Sequence, residues 1–447
     1  MSTGYQRILV DRGPKPFGRR NRWENDEGIA VADGASTVAP GIGSAYPPNI
    51  LAPGLRIRLF NVKYSPNLGD GLLSECMEHA LVELGANRDS WSIDLAARKA
   101  YGDGIPGRSQ ILSALDAMPG AIRPHVIRIP LAMQARRKWR PHYAEHLAGA
   151  NAAVIGGGNL ISDIDLNFPT KLGLAVQEIE RIGIPFVIYG SGVTGHWTRR
   201  GAEMLRKTFS SRLLRGVYVR DLASKHLWDD RLGQSSGHEA TVVPDPGLLA
   251  SRYIPPARRH DSGPKLAGVG VMSHIAIRYH CDIAPDQKAL EDWYVGLVAT
   301  LAAKGMHVVV FTNGSPEDVS YLARIRPRLD AIGGSISFPV AHQPTQLCQI
   351  ISSLNVLIAY RMHAVIASYS YRVPSVALAW DPKLKSFMSS VGRENYLCDV
   401  RTSNPAKTAE LAIKAMAEGI DERAHSAVLG NAWQGISRLL QRLEREP

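Results

Sequence analysis

Short apolar runs recur along this chain. Each is closed by glycine, asparagine, serine or arginine, and each is followed by a longer stretch whose apolar residues return every three or four positions. Runs of the first kind suit strands buried on both faces, and stretches of the second kind suit amphipathic helices. The predicted strands are Arg56–Val62, Asn151–Ile155, Pro185–Tyr189, Gly216–Val219 and Thr241–Val243, then Ala267–Met272, His307–Phe311, Ile336–Val340, Val356–Ile358 and Val376–Trp380. Helices are predicted over Leu72–Leu84, Lys288–Lys304 and Glu317–Leu329, and a charged helical segment over Ala406–Glu446. Strands alternating with helices in this way predict an α/β fold.

The same pattern divides the chain. Residues 1–53 are rich in Gly, Pro, Ala and Ser with little periodicity, and predict an extended or partly ordered arm. Residues 54–255 carry the first set of strands and 264–395 the second, with a polar, Pro-rich link around Ser251–Pro264. Residues 396–447 form the C-terminal helical part.

Composition narrows the class. A chain of 447 residues, 45% hydrophobic with 41 Gly and 28 Pro, has room for two ordinary domains and irregular ends. No apolar run approaches the ~20 residues that span a bilayer, and the first residues lack the apolar core of a signal peptide. Cys76, Cys281, Cys348 and Cys398 lie far apart, fitting neither a zinc site nor a disulfide framework, so the expectation is a cytoplasmic protein without a metal.

The charge is +11 with a pI near 9.5, yet the basic residues are scattered, aromatics are 7%, and no nucleic-acid recognition motif is present. Nucleic acid is therefore not the expected partner. Two basic clusters stand out, Arg136-Arg137-Lys138-Trp139-Arg140 and the stretch from Arg199 to Arg215. They read either as solvated helix faces or as attraction for anionic substrates or an anionic membrane surface, the second helped by an interfacial Trp139.

The richest chemistry lies in Asn355–Leu384. An Arg (Arg361) and a His (His363) stand where a buried strand hands over to a helix. In open α/β sheets ligands sit outside the carboxyl ends of the strands, so this pair is placed to bind an anion and move a proton. Other strand ends carry similar groups. Gly156-Gly157-Gly158-Asn159 would let backbone approach a ligand, although neither G-x-G-x-x-G nor a P-loop is present. Asn67-Leu68-Gly69-Asp70 precedes a helix, where Asp70 reads either as a simple N-cap or as a cleft residue. Arg220 follows Val219 and reads either as a second anion clamp or as a partner of Asp221, while His274 follows the strand that opens the second half.

In order, these turns resemble the polysaccharide pyruvyl transferase family. The resemblance is carried by N-x-G-D at Asn67–Asp70, G-G-G-N at Gly156–Asn159, V-R-D at Val219–Asp221, P-D-P at Pro244–Pro246, A-Y-R-M-H-A at Ala359–Ala364, and the Trp380-Asp381-Pro382-Lys383 segment. It covers about residues 56–395 and leaves both ends unexplained. It implies two Rossmann-like domains facing across a cleft, in a GT-B-like architecture. It also implies transfer of pyruvate from phosphoenolpyruvate (PEP) to two hydroxyls of a sugar as a cyclic ketal, with release of phosphate and no cofactor. By this analogy Arg220 and Arg361 clamp PEP, Lys383 and His274 assist, and His363 is the general acid or base. Asn67, Asp70, Gly157, Gly158 and Asn159 line the acceptor side or brace the cleft, and the acceptor is a glycan or a lipid-linked oligosaccharide. Two alternatives stay open: a GT-B glycosyltransferase using a nucleotide sugar, with Asp381 on the ribose, and a non-catalytic scaffold of a polysaccharide assembly system. The motifs name neither the acceptor sugar nor an oligomeric state.

Overall fold

The computed structural model describes residues 54–103, 130–163, 165–257, 263–280, 286–379 and 381–444. The expected arm of residues 1–53, Cys281 and Trp380 lie outside them.

The first half forms one sheet from β1 (Ile57–Asn61), β2 (Trp91–Asp94), β3 (Ala152–Gly156), β4 (Phe186–Ser191), β5 (Leu214–Val219) and β6 (Ala240–Val242). The second half forms another from β7 (Leu266–Gly270), β8 (His307–Phe311), β9 (Ile336–Ser337), β10 (Val356–Ala359), β11 (Ser375–Leu378) and β12 (Leu397–Cys398). The orders are β2-β1-β3-β4-β5-β6 and β12-β11-β10-β7-β8-β9, with every paired strand parallel. Both are doubly wound. Their order reverses between β1 and β3 in the first sheet and between β7 and β10 in the second, and a crevice opens at each reversal.

Helices connect the strands: α1 (Leu68–Glu83), α2 (Arg140–His146), α3 (Asn167–Ile182), α4 (Arg199–Phe209) and α5 (Leu222–Trp228) in the first half. In the second half they are α6 (His274–His280), α7 (Gln287–Ala303), α8 (Pro316–Asp330), α9 (Pro344–Ser353), α10 (Met362–Ser370) and α11 (Pro382–Ser390). The C-terminal part is α12 (Pro405–Glu418) and α13 (Glu422–Glu444), separated at Gly419, whose φ of +68° suits glycine. The sequence predicted one helical segment there. In fact α13 crosses back to the first sheet, where the Arg442 side chain donates to Arg215 O and Gly435 passes the Tyr189 hydroxyl.

Three differences from the sequence reading have local causes. Helix α1 starts four residues earlier than expected, because the Asn67 side chain accepts from Gly69 N at 3.4 Å and so caps it; Asp70 is inside the first turn, not the cap. Strands β2 and β12 were not anticipated: one has four residues and the other two, too short to show a period. Trp139 is not interfacial. It is 3% exposed, with the Lys171 ammonium 4.7 Å from its ring centroid, while Arg140 pairs with Glu178 at 2.9 Å.

The halves share a core. One apolar cluster runs from the inner face of the first sheet (Leu59, Val154, Val187) through α1 (Leu72, Cys76) into the second half (Val269, Ile358, Ile366). A second lies under α2 to α5 on the other face of the first sheet, around Phe60, Ile155 and Phe209. Hydrogen bonds stitch the seam: Leu68 N to Asn313 O at 2.8 Å, Ser251 N to Ser370 Oγ at 2.9 Å, and Tyr371 Oη to Ile254 O at 2.8 Å.

Gly156, where β3 meets β4, is the tightest point of the first sheet. A Cβ there would lie 2.0 Å from the Tyr189 carbonyl oxygen, which is backbone and cannot rotate away. Gly156→Ala is expected to lower stability by ~1–3 kcal/mol or more, read as a drop in thermal midpoint; an unchanged midpoint would show that β3 and β4 are not held this closely.

Candidate functional site

Both reversal points deliver side chains to one place. From the first sheet come the start of α1 after β1, the glycine turn after β3 and Arg220 after β5. From the second come the turn after β7 and the Arg361–His363 start of α10 after β10. The halves meet closely here, since a Cβ on Gly69 would fall 2.5 Å from His363 Cβ. Asp70 Oδ1 is 3.6 Å from His363 Nδ1. Asp70 and His363, which the sequence placed in different halves, are thus side by side.

His363 is 7% exposed, and its Nε2 is buried without a hydrogen-bond partner among the described residues. Burial, then the positive charges of Arg220 and Arg361, bring its pKa down to about 3. The imidazole is therefore neutral, and its contact with Asp70 is not an ion pair. At 3.6 Å it is also longer than a hydrogen bond, a distance that catalytic contacts commonly shorten when substrate binds. With Nδ1 turned to a carboxylate, the proton favours Nδ1, and Nε2 is left as an acceptor.

Arg361 does not stand alone. Its Nε and Nη2 donate to Asp318 Oδ2 at 2.8 and 2.6 Å, and the other oxygen of Asp318 accepts from Ser273 N at 2.9 Å. Asp318 is fully buried. It fixes the guanidinium by its Nε–Nη2 edge and leaves Nη1 for a ligand. Asp318 escaped the sequence reading because an Asp in the first turn of α8 looks like ordinary helix-start chemistry.

Arg220 lies across from this pair. Its Nε is 3.5 Å from Asp221 Oδ2, and the other oxygen of Asp221 caps α5 through Ser224 N at 2.6 Å. The guanidinium passes over Gly192, where a Cβ would meet both Arg220 Nη2 and Asn159 Oδ1 at 2.7 Å. Arg220 is thus near Asp221, and its charge also reaches His363, Asp70 and Lys383. Lys383 sits 3.8 Å from Asp381, and burial, then Arg220, bring its pKa down to about 8.

The glycine turn acts by shape. Gly157 (φ +82°) and Gly158 (φ +68°) take conformations that favour glycine, and a Cβ on Gly158 would lie 3.6 Å from Asp70 Oδ1. Of the turn's backbone, expected to approach a ligand, the Gly157 N–H is bonded to Tyr189 O at 3.1 Å. His274 stands apart: its ring is 6.0 Å from that of Tyr321, and burial, then Arg278, lower its pKa. Among the described contacts none joins it to His363 or Arg361. Asn67 caps α1, one turn from Asp70.

Two further residues were not singled out from sequence. Asp245, of the P-D-P segment, is 5% exposed; Oδ1 accepts from Gly247 N at 2.8 Å and Oδ2 is buried without a partner among the described residues. Asn313 is 1% exposed with neither amide atom partnered, and its backbone carbonyl holds the start of α1. Together with Asn159 Oδ1, Ser191 Oγ and His363 Nε2, these are buried polar atoms without protein partners near the two reversal points. Native interiors rarely leave such atoms unpaired, which makes this group of them the candidate ligand site. A separate cavity of about 340 Å³, lined by Tyr218, His238, Arg438 and Arg442 among others, contains none of these groups.

Known proteins place the chain. Among solved structures it is similar to a putative UDP-N-acetylglucosamine 2-epimerase from Listeria monocytogenes, at 11% identity and a TM-score of 0.52, over 87% of this chain and 95% of that one. It is also similar to the UDP-GlcNAc 2-epimerase of Methanocaldococcus jannaschii, at 11% identity and a TM-score of 0.51, over 87% and 98%. At such identity the likeness concerns the fold, two Rossmann-like domains of the GT-B type. Among curated proteins none matches significantly. The model of the family described as polysaccharide pyruvyl transferase matches residues 67–382, from the cap of α1 to the first residue of α11, and the chain belongs to that family.

Proposed function

We propose that this protein transfers the pyruvyl group of PEP to two hydroxyls of a sugar, in a cell-surface glycan or its lipid-linked precursor, forming a cyclic ketal and releasing phosphate. The observation that carries this reading is the convergence of Arg220 and Arg361, one from each half, on a neutral buried histidine, with Lys383 near enough to Arg220 to feel its charge. PEP offers a phosphate and a carboxylate, and guanidinium groups bind both through paired N–H donors. His363 Nε2 is an unprotonated acceptor, and an anion bound between Arg220 and Arg361 would offset the charges that lower its pKa and make it a stronger base toward the attacking hydroxyl. The hydroxyl oxygen bonds to C2 while C3 gains a proton. Phosphate then leaves with the electron pair of its C2–O bond, and the second hydroxyl oxygen bonds to C2 to close the ring as its proton passes to the departing phosphate. Asp70 orients the imidazole, and Asp318 orients Arg361.

The acceptor enters on the side of Asn67, Asp70 and the Gly157–Asn159 turn. Exposed Arg136, Arg137 and Lys138, beside an exposed Met133, give the first half a basic face suited to an anionic membrane surface carrying a lipid-linked acceptor. Among the described residues no helix is long and apolar enough to cross a membrane. A nucleotide-sugar reaction would want Asp381 on a ribose, but one oxygen of Asp381 already caps α11 through Lys383 N at 2.8 Å.

The first test must respect Asp318. Arg361→Ala would strand a fully buried carboxylate, so it is expected to cost ~3–5 kcal/mol in urea unfolding, with much of that recovered when Asp318→Asn is added. Equal stability of Arg361→Ala and the parent would mean the pair is not formed.

Binding is better probed with Arg361→Lys and Arg220→Ala. Each is expected to weaken PEP roughly tenfold or more, the loss of one charge-assisted paired contact. An unaltered PEP isotherm in either folded variant would remove that residue from the clamp, and stabilisation of the parent by UDP but not by PEP would overturn the donor assignment.

His363→Gln separates chemistry from packing. Because the clamps remain, PEP should bind nearly as before, while phosphate release from PEP in the presence of candidate lipid-linked oligosaccharides should slow ~10²-fold or more. Retained turnover with a lowered melting temperature would make His363 structural.

A further inference from the structure

The charges around the proposed PEP site do not balance in favour of an anion. Each cation already has its own acid: Asp318 for Arg361, at 2.6 Å, Asp221 for Arg220, at 3.5 Å, and Asp381 for Lys383, at 3.8 Å. Asp70 and Asp245 remain as additional carboxyls. Asp70 faces His363, and Asp245 Oδ2 is buried without a partner among the described residues. They are linked through α1: Gly247, which donates to Asp245 Oδ1, packs against Leu73, one turn on from Asp70. Two ionised carboxylates here, with the three cations neutralised, would repel a ligand carrying both a phosphate and a carboxylate. Like charges sharing a poorly solvated site cannot all stay ionised.

Resting on the PEP reading above, we propose that PEP binding is coupled to uptake of a proton by the Asp70–Asp245 pair, which then serves as the proton store for protonation of C3. The pair is surrounded from every element packed on it. Asp245 is faced by Gly247 N on its own turn, Arg220 after β5, Asp70 and Cys76 on α1, and Tyr189 on β4. Asp70 is faced by Ser65, Arg98, Arg220, Arg361 and His363. Burial keeps the Cys76 thiol and the Tyr189 phenol uncharged, so among the groups facing the pair only the carboxyls and His363 are left to titrate. Lys383, near 8, acts on Arg220 and not on the pair, and its share of any proton uptake persists in the Asp245 variants.

Burial holds Asp245 up to about 6, already above the ordinary carboxylate range, and raises Asp70 as well. An arriving anion pushes both higher. Above pH 6 Asp245 is increasingly ionised in the free protein and less so with PEP bound, so binding takes up a proton and weakens as pH rises. The addition step then balances. The C2=C3 electron pair takes the stored proton at C3, the hydroxyl oxygen bonds to C2, and the hydroxyl proton goes to His363 Nε2.

The experiment is calorimetric titration of the full chain with PEP at pH 7.5 in buffers of different ionisation enthalpy, repeated with Asp245→Asn and Asp245→Ser. Both replacements keep an oxygen to cap Gly247, so one serves if the other does not fold. The expected result is net proton uptake by the parent, lost or sharply reduced in the variants. PEP affinity in the parent should fall up to roughly tenfold per pH unit where a full proton is taken up, with a flatter profile in the variants. Binding without proton uptake overturns the proposal. Equal uptake in parent and variants also overturns it, because the proton would then be held by the phosphate of PEP or by another group. Failure of the parent to bind PEP at all overturns the reading on which the proposal rests, and is distinguishable from both.

Discussion

Gly69 and His363 touch, and the site depends on that contact. A side chain at position 69 would have to occupy space already filled by the imidazole, with a Cβ 2.5 Å from His363 Cβ and 2.7 Å from Nδ1. Only a bare backbone lets the first turn of α1 reach the first turn of α10. The approach brings together the helices that follow β1 and β10, each beside the reversal point of its own sheet. It is fixed from outside by the Leu68–Asn313 hydrogen bond and by the apolar core that runs through α1 into both halves. The polar groups at the centre are held by the packing around them.

That packing is expensive in charge. Burying an ionised group costs several kcal/mol unless it is paired and hydrogen-bonded, and the structure meets the cost unevenly. Arg361 and Asp318 are fully engaged, with the second carboxylate oxygen satisfied by backbone. Arg220 and Lys383 keep longer, looser partners, and Asp245 keeps one oxygen unpaired. The tight pair fixes Arg361 by its Nε–Nη2 edge, and the groups with longer contacts have more room to shift. The same cations that would hold an anion also lower the pKa of His363 and leave it an acceptor. The proposed clamp and the proposed base are therefore one electrostatic system.

Much of the fold was legible. Buried strands such as Val356–Ala359 must be almost wholly apolar, and helices such as α7 and α8 must repeat at helical spacing, so both show in a single sequence. The position of Arg361 and His363 was legible because a short apolar run ends just before them and hands over to a helix. Strands β2 and β12 were not, being too short to carry a period. Within the glycine turn the Gly157 N–H bonds to Tyr189, and Trp139, expected at an interface, is buried beneath Lys171. In both cases a neighbour distant in sequence decided the outcome.

By itself, then, the sequence determined which residues could carry charge, hydrogen bonds and protons, and that they stand at strand ends in two α/β halves. Period and composition are local, so they survive without coordinates. Only the tertiary structure decided who meets whom: Asp70 against His363 rather than across a gap, Asp318 under Arg361, Asp245 alone beside Arg220, and α13 returned to the first sheet. Those pairings join residues dozens to hundreds of positions apart. They are set by close packing and by the need to neutralise buried charge, neither of which leaves a periodic trace along the chain.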